Sequence, residues 1–126
     1  MIGYVMLGTN NKDRALKFYD EILKELGGKR FMENEKFTAY SSEHGKPGIG
    51  ITTPFDGKPA TVGNGTMVAL NAETPEKVNA IYNKAISLGA KDEGKPGPRG
   101  DQGFYAAYFR DLDGNKLNAF CIVAKK

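Results

Sequence analysis

The chain contains one arrangement twice, and this internal repeat constrains the fold more than any other feature. Residues 4–30 and residues 67–92 each begin with a short apolar segment and continue through a polar helix start into an amphipathic helix that ends at Leu-Gly. A shift of 63 positions places Tyr19, in the middle of the first helix, on Tyr82 in the second. Because a unit of this size cannot bury its own apolar face, we expect two paired units that share one core.

Hydrophobic periodicity outlines the elements around the two repeats. Apolar residues at three- and four-residue spacing predict a helix capped by Asn10 or Asn11, and a second helix capped by Thr74 with Pro75 in its first turn. Strands are predicted near residues 2–7, 29–32, 36–41, 48–53, 66–71, 104–110 and 115–123, and loops over residues 54–65 and 94–100. We therefore expect one domain over residues 1–126, with module one at about 1–54, a loop at 54–65 and module two at about 66–126, each module in the order βαβββ.

Composition and charge exclude several classes of protein. A chain of 126 residues that is 40% hydrophobic and 26% charged is typical of a single globular domain. The net charge is only +3 and the lysines are dispersed, so we expect no nucleic-acid partner. No apolar run approaches the roughly 20 residues of a membrane span, and no signal peptide precedes the first strand, which predicts a cytoplasmic protein without membrane association. Cys121 is the only cysteine, so an intrachain disulfide is excluded.

Two segments carry a family resemblance. The opening YVMLGTNNKDRALKFYDEIL and the closing YFRDLDGNKLNAF resemble the vicinal oxygen chelate superfamily, which includes glyoxalase I, extradiol dioxygenases, fosfomycin-resistance enzymes and bleomycin-binding proteins. The closing segment resembles the family pattern aromatic-Arg-Asp-Pro-Asp-Gly-Asn followed by an apolar residue and Glu, with Leu112 in place of Pro. The resemblance covers essentially the whole chain. It implies an α+β fold in which two βαβββ modules form a cup-shaped half-open barrel with the helices outside, and it implies a homodimer.

The resemblance also locates the positions at which metal-dependent members hold their ion. These positions fall on Tyr4 and near Gly50 in module one, and on Met67 and Asn118 in module two. A catalytic divalent metal needs several imidazole nitrogens or carboxylate oxygens converging on one point. The matched positions offer none, and the one histidine, His44, falls in a predicted turn. We therefore expect no metal and no cofactor, which argues against glyoxalase I and ring-cleaving dioxygenase chemistry.

Strand alternation sorts the side chains between the cup and the core. If Tyr4, Met67 and Asn118 face the cup, the residues two positions away along each strand also face it, and the intervening, almost purely apolar residues face the helices. Alternation does not decide which side of residues 104–110 lines the cup. Arg30 is a further candidate because it could hold an anion. The predicted ligand-binding residues are Tyr4, Met67, Asn118, Phe120, Thr52, Tyr108 and Arg30.

The predicted lining suits an organic ligand with an apolar body and a few hydrogen-bonding groups, because it mixes thioether, aromatic and amide side chains. The favoured hypothesis is a glyoxalase/bleomycin-resistance-like protein that lacks the metal ligands and binds a small organic molecule. The alternatives are a glyoxalase-like lyase of the lactoylglutathione lyase family, a metal-independent isomerase, and a ligand-free dimeric scaffold. The sequence shows no nucleophile–base pair, so it identifies no catalytic residue.

Overall fold

The structure, a computed structural model, describes residues 1–43 and 45–123. The first module comprises β1 (Tyr4–Gly8), α1 (Lys12–Leu23), β2 (Lys29–Glu33), β3 (Phe37–Ser41) and β4 (Gly48–Thr52), with a short 3₁₀ turn (Lys24–Leu26) after α1. The second module comprises β5 (Val68–Asn71), α2 (Pro75–Ser87), β6 (Lys91–Pro98), β7 (Phe104–Arg110) and β8 (Lys116–Ile122). None of the helices within the described residues is long and apolar enough to cross a membrane.

Each module forms its own four-stranded sheet. The strand orders are β1-β4-β3-β2 and β5-β8-β7-β6, in which β1 pairs with β4 and β5 with β8 in parallel, and the other neighbours are antiparallel. No ladder of hydrogen bonds joins the two sheets within residues 1–43 and 45–123, so the barrel is half-open. The predicted fold class of two βαβββ modules is confirmed.

Both helices begin at the capping residues that their sequences provide. The Asn11 side chain accepts a hydrogen bond from the Arg14 backbone N–H, and the Thr74 side chain accepts one from the Lys77 N–H, with Pro75 at the start of α2. Asn10, the alternative cap for α1, instead bonds through its amide to the backbone of Ala60. The polar starts of the two repeats are therefore true helix caps.

One hydrophobic core connects the two modules. The ring centroids of Phe18 on α1 and Phe109 on β7 lie 6.5 Å apart, so the first helix contacts the second sheet. Cys121 is buried in this core, and burial raises the pKa of its thiol, which suits a small apolar residue better than a reactive one. Of the strand residues that alternation assigned to the helix-facing side, seven are buried: Leu7, Ile49, Ile51, Leu70, Leu117, Ala119 and Cys121. The other two, Val5 and Val68, are half-buried and pack against the same core.

The loop predicted over residues 94–100 is wrong, because β6 extends from Lys91 to Pro98. Glycine and proline in this segment suggested a loop, yet β6 lies at the edge of its sheet and pairs only with β7. An edge strand tolerates both residue types, since one side of its backbone needs no ladder partner. Register shifts on either side of Gly94 absorb the irregularity.

Candidate ligand-binding face

Asn118 lies near the centre of one face of the second sheet. Its neighbours across the ladder are Ala69 on β5 and Tyr108 on β7. The opposite face of β7 points at the helices, because the Tyr105 hydroxyl donates to the Asn79 side chain on α2 at 2.8 Å. This result decides the orientation that alternation left open. We call this surface the Asn118 face, and by register and alternation it comprises Met67, Ala69, Asn71, Phe104, Ala106, Tyr108, Arg110, Lys116, Asn118 and Phe120.

The Asn118 amide is buried without a protein partner. Its side chain is 2% exposed, and its Oδ1 atom accepts no hydrogen bond within the described part of the chain. The other buried oxygen of this kind is Thr38 Oγ1 on β3, a position that pairs with the core residue Ile51. Leaving a buried acceptor without a donor costs about 1–3 kcal/mol. A bound O–H or N–H group would remove that cost at Asn118 once the side chains that cover the oxygen moved aside.

Two cations converge on the Tyr108 ring beside Asn118. The Arg99 Cζ atom lies 5.5 Å and the Lys116 Nζ atom 5.6 Å from the ring centroid. Arg99 Nη1 donates to the Gly97 carbonyl at 2.8 Å, and Nη2 donates to the Lys95 carbonyl at 2.6 Å. Neither cation forms an ion pair with any carboxylate of residues 1–43 or 45–123. The Asn118 face therefore carries two positive charges without an ion-pair partner.

Tyr4 and Thr52 lie on the corresponding face of the first sheet, which is largely apolar. Tyr4 is 61% and Met6 54% exposed, and the Tyr4 ring lies edge-on to Phe37 with centroids 6.3 Å apart. A side chain at Gly50 would collide with the Phe37 ring, so glycine there lets Phe37 lie flat over β4. We call this surface the Tyr4 face, and it comprises Tyr4, Met6, Phe31, Met32, Phe37, Gly50 and Thr52.

Arg30 lies on the opposite side of the first sheet. Its Nε and Nη2 atoms donate to the two carboxylate oxygens of Asp20 at 2.8 and 2.7 Å, and Nη1 donates to Glu33 at 2.8 Å. The Tyr40 hydroxyl also donates to Asp20 at 2.8 Å. Although partial burial opposes it, hydrogen bonding to Arg30 and Tyr40 lowers the pKa of Asp20. The structure thus brings Met67, Tyr108, Asn118 and Phe120 together, and it separates Arg30 from them.

The donors at the matched metal positions do not fit a catalytic divalent ion. Tyr4 supplies a phenol, Met67 a thioether and Asn118 a neutral amide, whereas such ions require imidazole and carboxylate groups. No three His, Cys, Asp or Glu side chains among residues 1–43 and 45–123 are placed to share an ion. His44 lies outside the described residues.

Comparison with known proteins agrees with this architecture. A family model described as the Glyoxalase/Bleomycin resistance protein/Dioxygenase superfamily matches residues 1–119. The chain belongs to this superfamily. No curated protein sequence matches the chain.

Solved structures of the superfamily share the whole fold. A glyoxalase/bleomycin resistance protein from Albidiferax ferrireducens is 37% identical, with a TM-score of 0.89 over 98% of this chain and 99% of that one. A glyoxalase/bleomycin resistance protein/dioxygenase family enzyme from Burkholderia phytofirmans is 17% identical, with a TM-score of 0.74 over 96% and 98%. The fosfomycin resistance protein FosX from Listeria monocytogenes is 14% identical, with a TM-score of 0.71 over 100% and 94%. The last two likenesses show the fold alone.

An open cleft of about 950 Å³ lies between the modules of this superfamily member, and strands β1, β4 and β5 contribute to its walls. Its floor is apolar and includes Val5, Leu26 and Leu70, and its rim includes Lys46 and Glu73. Glu73 is the one non-glycine residue with a positive φ, 70°, in the part of the chain that the structure describes. The cleft adjoins the Asn118 face, because Met67, Ala69 and Asn71 also line it. It could not be predicted from local sequence patterns, because its walls come from both modules.

Asp111 is a buried carboxylate whose role sequence reasoning missed. It accepts hydrogen bonds from the Tyr19 hydroxyl at 2.6 Å, from the Asn115 side chain and backbone at 2.9 Å, and from the Asp113 backbone at 2.9 Å. Burial, followed by the charge of Asp111, raises the pKa of Tyr19 well above its ordinary value. The strands on both sides of this segment, near residues 104–110 and 115–123, were predicted, but the contact of Asp111 with α1 joins residues 92 positions apart and leaves no local signal.

Proposed function

We propose that this superfamily member binds a small organic molecule on the Asn118 face without a metal ion. The observation that supports this proposal best is the buried Asn118 amide oxygen, which has no donor among the described residues. An amide both donates and accepts, so it can orient a polar group of a ligand. Apolar surface for the body of the ligand lies beside it, since Phe104 and Phe120 stack with centroids 5.6 Å apart.

We also propose that the protein is a cytoplasmic homodimer. The Tyr4 face exposes Tyr4, Met6, Phe31 and Met32, each more than half accessible. A contiguous apolar surface of this kind is a common feature of protein–protein interfaces. In addition, β1 and β5 each have one edge without a strand partner in the described chain, and a second copy would cover such an edge.

We do not propose a lyase, an isomerase or a ligand-free scaffold, because no particular contact among the described residues favours any of these functions. Metal content distinguishes a conventional lyase from the proposed binder. We expect protein purified without added metal to contain no stoichiometric zinc, nickel, iron or manganese. One equivalent of metal whose removal by a chelator abolishes an activity would contradict the proposal.

The binding proposal can be tested by screening ring-containing fragments against ¹⁵N-labelled protein. Binding on the Asn118 face should shift the backbone amides of residues 106–108 and 117–120. Asn118→Ala should weaken the best fragment about tenfold, or about 1.4 kcal/mol, because a direct hydrogen bond is lost. Asn83→Ala, on the exposed side of α2, is the matched control and should leave the affinity unchanged. The absence of any fragment that shifts these amides would refute the proposal.

A further inference from the structure

We infer that the molecule bound on the Asn118 face is an organic anion whose negative group is held by Arg99 and Lys116. The inference rests on the proposed function and specifies its ligand class. It starts from the two cations near the Tyr108 ring, at 5.5 and 5.6 Å from the centroid. Cation–π attraction holds each charge beside the ring without neutralising it.

Arg99 keeps hydrogen-bonding capacity for a ligand. Its guanidinium has five N–H donors, and the structure assigns Nη1 to the carbonyls of Gly97 and Pro98 and Nη2 to that of Lys95. These neutral acceptors fix the orientation of the group and leave its charge intact. At least the Nε–H and one further N–H remain to meet an anion. Arg99 is therefore a preorganised donor rather than a freely moving surface side chain.

Lys116 adds a second charge at a defined distance from Asn118. The two residues are two positions apart on β8 and share a face, which separates their Cα atoms by roughly 6.6 Å. The Lys116 ammonium forms no hydrogen bond or ion pair with the described residues, so all three of its donors are available. A ligand could therefore place an anionic group near Lys116 and Arg99 and an O–H or N–H group at Asn118.

Glu93, whose pKa the charge of Lys116 affects, is already paired with another cation. Glu93 contacts Arg110, whose Nε donates to its carboxylate at 2.7 Å, and this hydrogen bond lowers the pKa of Glu93. The charge of Lys116 lowers that pKa only to a smaller extent. Arg110 and Glu93 thus compensate each other, and Arg99 and Lys116 leave the Asn118 face with two net positive charges.

A matched pair of dyes tests the inference. The probe 8-anilinonaphthalene-1-sulfonate combines an aromatic body, an N–H donor and a sulfonate, whereas N-phenyl-1-naphthylamine is the same molecule without the anion. Fluorescence titration of the full chain should give at least a tenfold lower Kd for the sulfonate. The double variant Arg99→Gln/Lys116→Gln should remove this preference, so that the two dyes bind it with similar Kd values. Lys17→Gln/Lys84→Gln, an equal charge change on the exposed sides of the helices, should keep the preference.

The possible outcomes distinguish a failure of the anion inference from a failure of the proposed binding function. If both dyes bind the Asn118 face with equal affinity, the anion inference is overturned and the binding function stands. If neither dye shifts the amides of residues 106–108 and 117–120, both are overturned. Shifts confined to residues 23–28 and 46–49 would place the sulfonate dye in the part of the cleft away from the Asn118 face and would also overturn the inference. If Lys17→Gln/Lys84→Gln loses the preference for the sulfonate dye to the same extent, the preference comes from the net charge of the protein, and the inference is overturned.

Discussion

The hydrogen bond between Tyr19 and Asp111 should stabilise the fold far more than its counterpart in the second module. The Tyr19 hydroxyl donates to Asp111 at 2.6 Å inside the core and joins the two modules. Tyr82, at the equivalent position of the repeat, donates to Asp92 at 3.0 Å, and Asp92 is exposed and belongs to the same module. Tyr19→Phe and Tyr82→Phe remove the same atom from the two environments, so each is the control for the other.

The expected loss of unfolding free energy depends on which groups still contact each aspartate after the tyrosine hydroxyl is removed. A hydrogen bond to a charged group contributes about 1.5–3 kcal/mol. Asp111 keeps three other donors after Tyr19→Phe, so its carboxylate is not left bare, and a loss of about 2 kcal/mol is expected. After Tyr82→Phe, water replaces the hydroxyl at Asp92, and the loss should stay below about 1 kcal/mol.

Urea unfolding followed by circular dichroism measures both variants. The slope of the unfolding free energy against urea should be unchanged, so that the midpoint alone reports stability. Equal losses for the two variants, or a larger loss for Tyr82→Phe, would refute the reasoning that a buried inter-module bond outweighs an exposed one.

Three further predictions follow from the same contacts. Because the pKa of Tyr19 is raised in the folded state, its neutral form stabilises the fold fully below pH 10, and this contribution is lost as the pH rises further. The urea midpoint of Tyr19→Phe should therefore decline less steeply above pH 10 than that of the wild type. Parallel declines would contradict this prediction. Asn118→Ala should change the unfolding free energy by less than about 1 kcal/mol, because its oxygen loses no hydrogen bond to the described residues. Asn115→Ala loses hydrogen bonds to Gly8 and Asp111 and should lower the unfolding free energy by about 1–3 kcal/mol. A larger loss for Asn118→Ala than for Asn115→Ala would make Asn118 a structural residue. Sedimentation should show a species of twice 13.7 kDa that Met6→Glu dissociates and Lys17→Glu does not, and a monomer at every concentration would refute the dimer.

The order of the elements could be predicted because each has a local cause. Asn11 and Thr74 cap the helices where the polar residues of the repeats indicate, and alternation along β1, β4, β5 and β8 separates the core from the other face. Strand β6 escaped prediction because its glycines and prolines are tolerated only at a sheet edge, and a single sequence does not show which strand lies at the edge.

The candidate site could be predicted only as far as strand alternation reaches. Alternation placed Asn118 and Phe120 on one face, and the pairing of β7 with β8 adds Tyr108. It could not place Arg99, because the orientation of its side chain depends on three backbone carbonyls of β6. Alternation also could not show that Arg30 lies on the opposite side of the first sheet, where Asp20, ten positions away on α1, engages its guanidinium.

The two modules share one fold, but the side chains on the Tyr4 face and on the Asn118 face differ in their chemistry. Tyr4 and Met67 are equivalent positions of the repeat, yet the face around Tyr4 is aromatic and aliphatic. The face beside Met67 carries an amide oxygen and two cations that have no hydrogen-bond donor and no carboxylate partner, respectively, in the described part of the chain. Buried polar groups without partners and unpaired charges destabilise a fold unless something else satisfies them. On the Asn118 face these groups lie beside stacked aromatic rings, and the proposed ligand would satisfy them. The apolar Tyr4 face has the opposite requirement, since it needs only to be covered. A second copy of the chain could supply that cover without competing for the polar face.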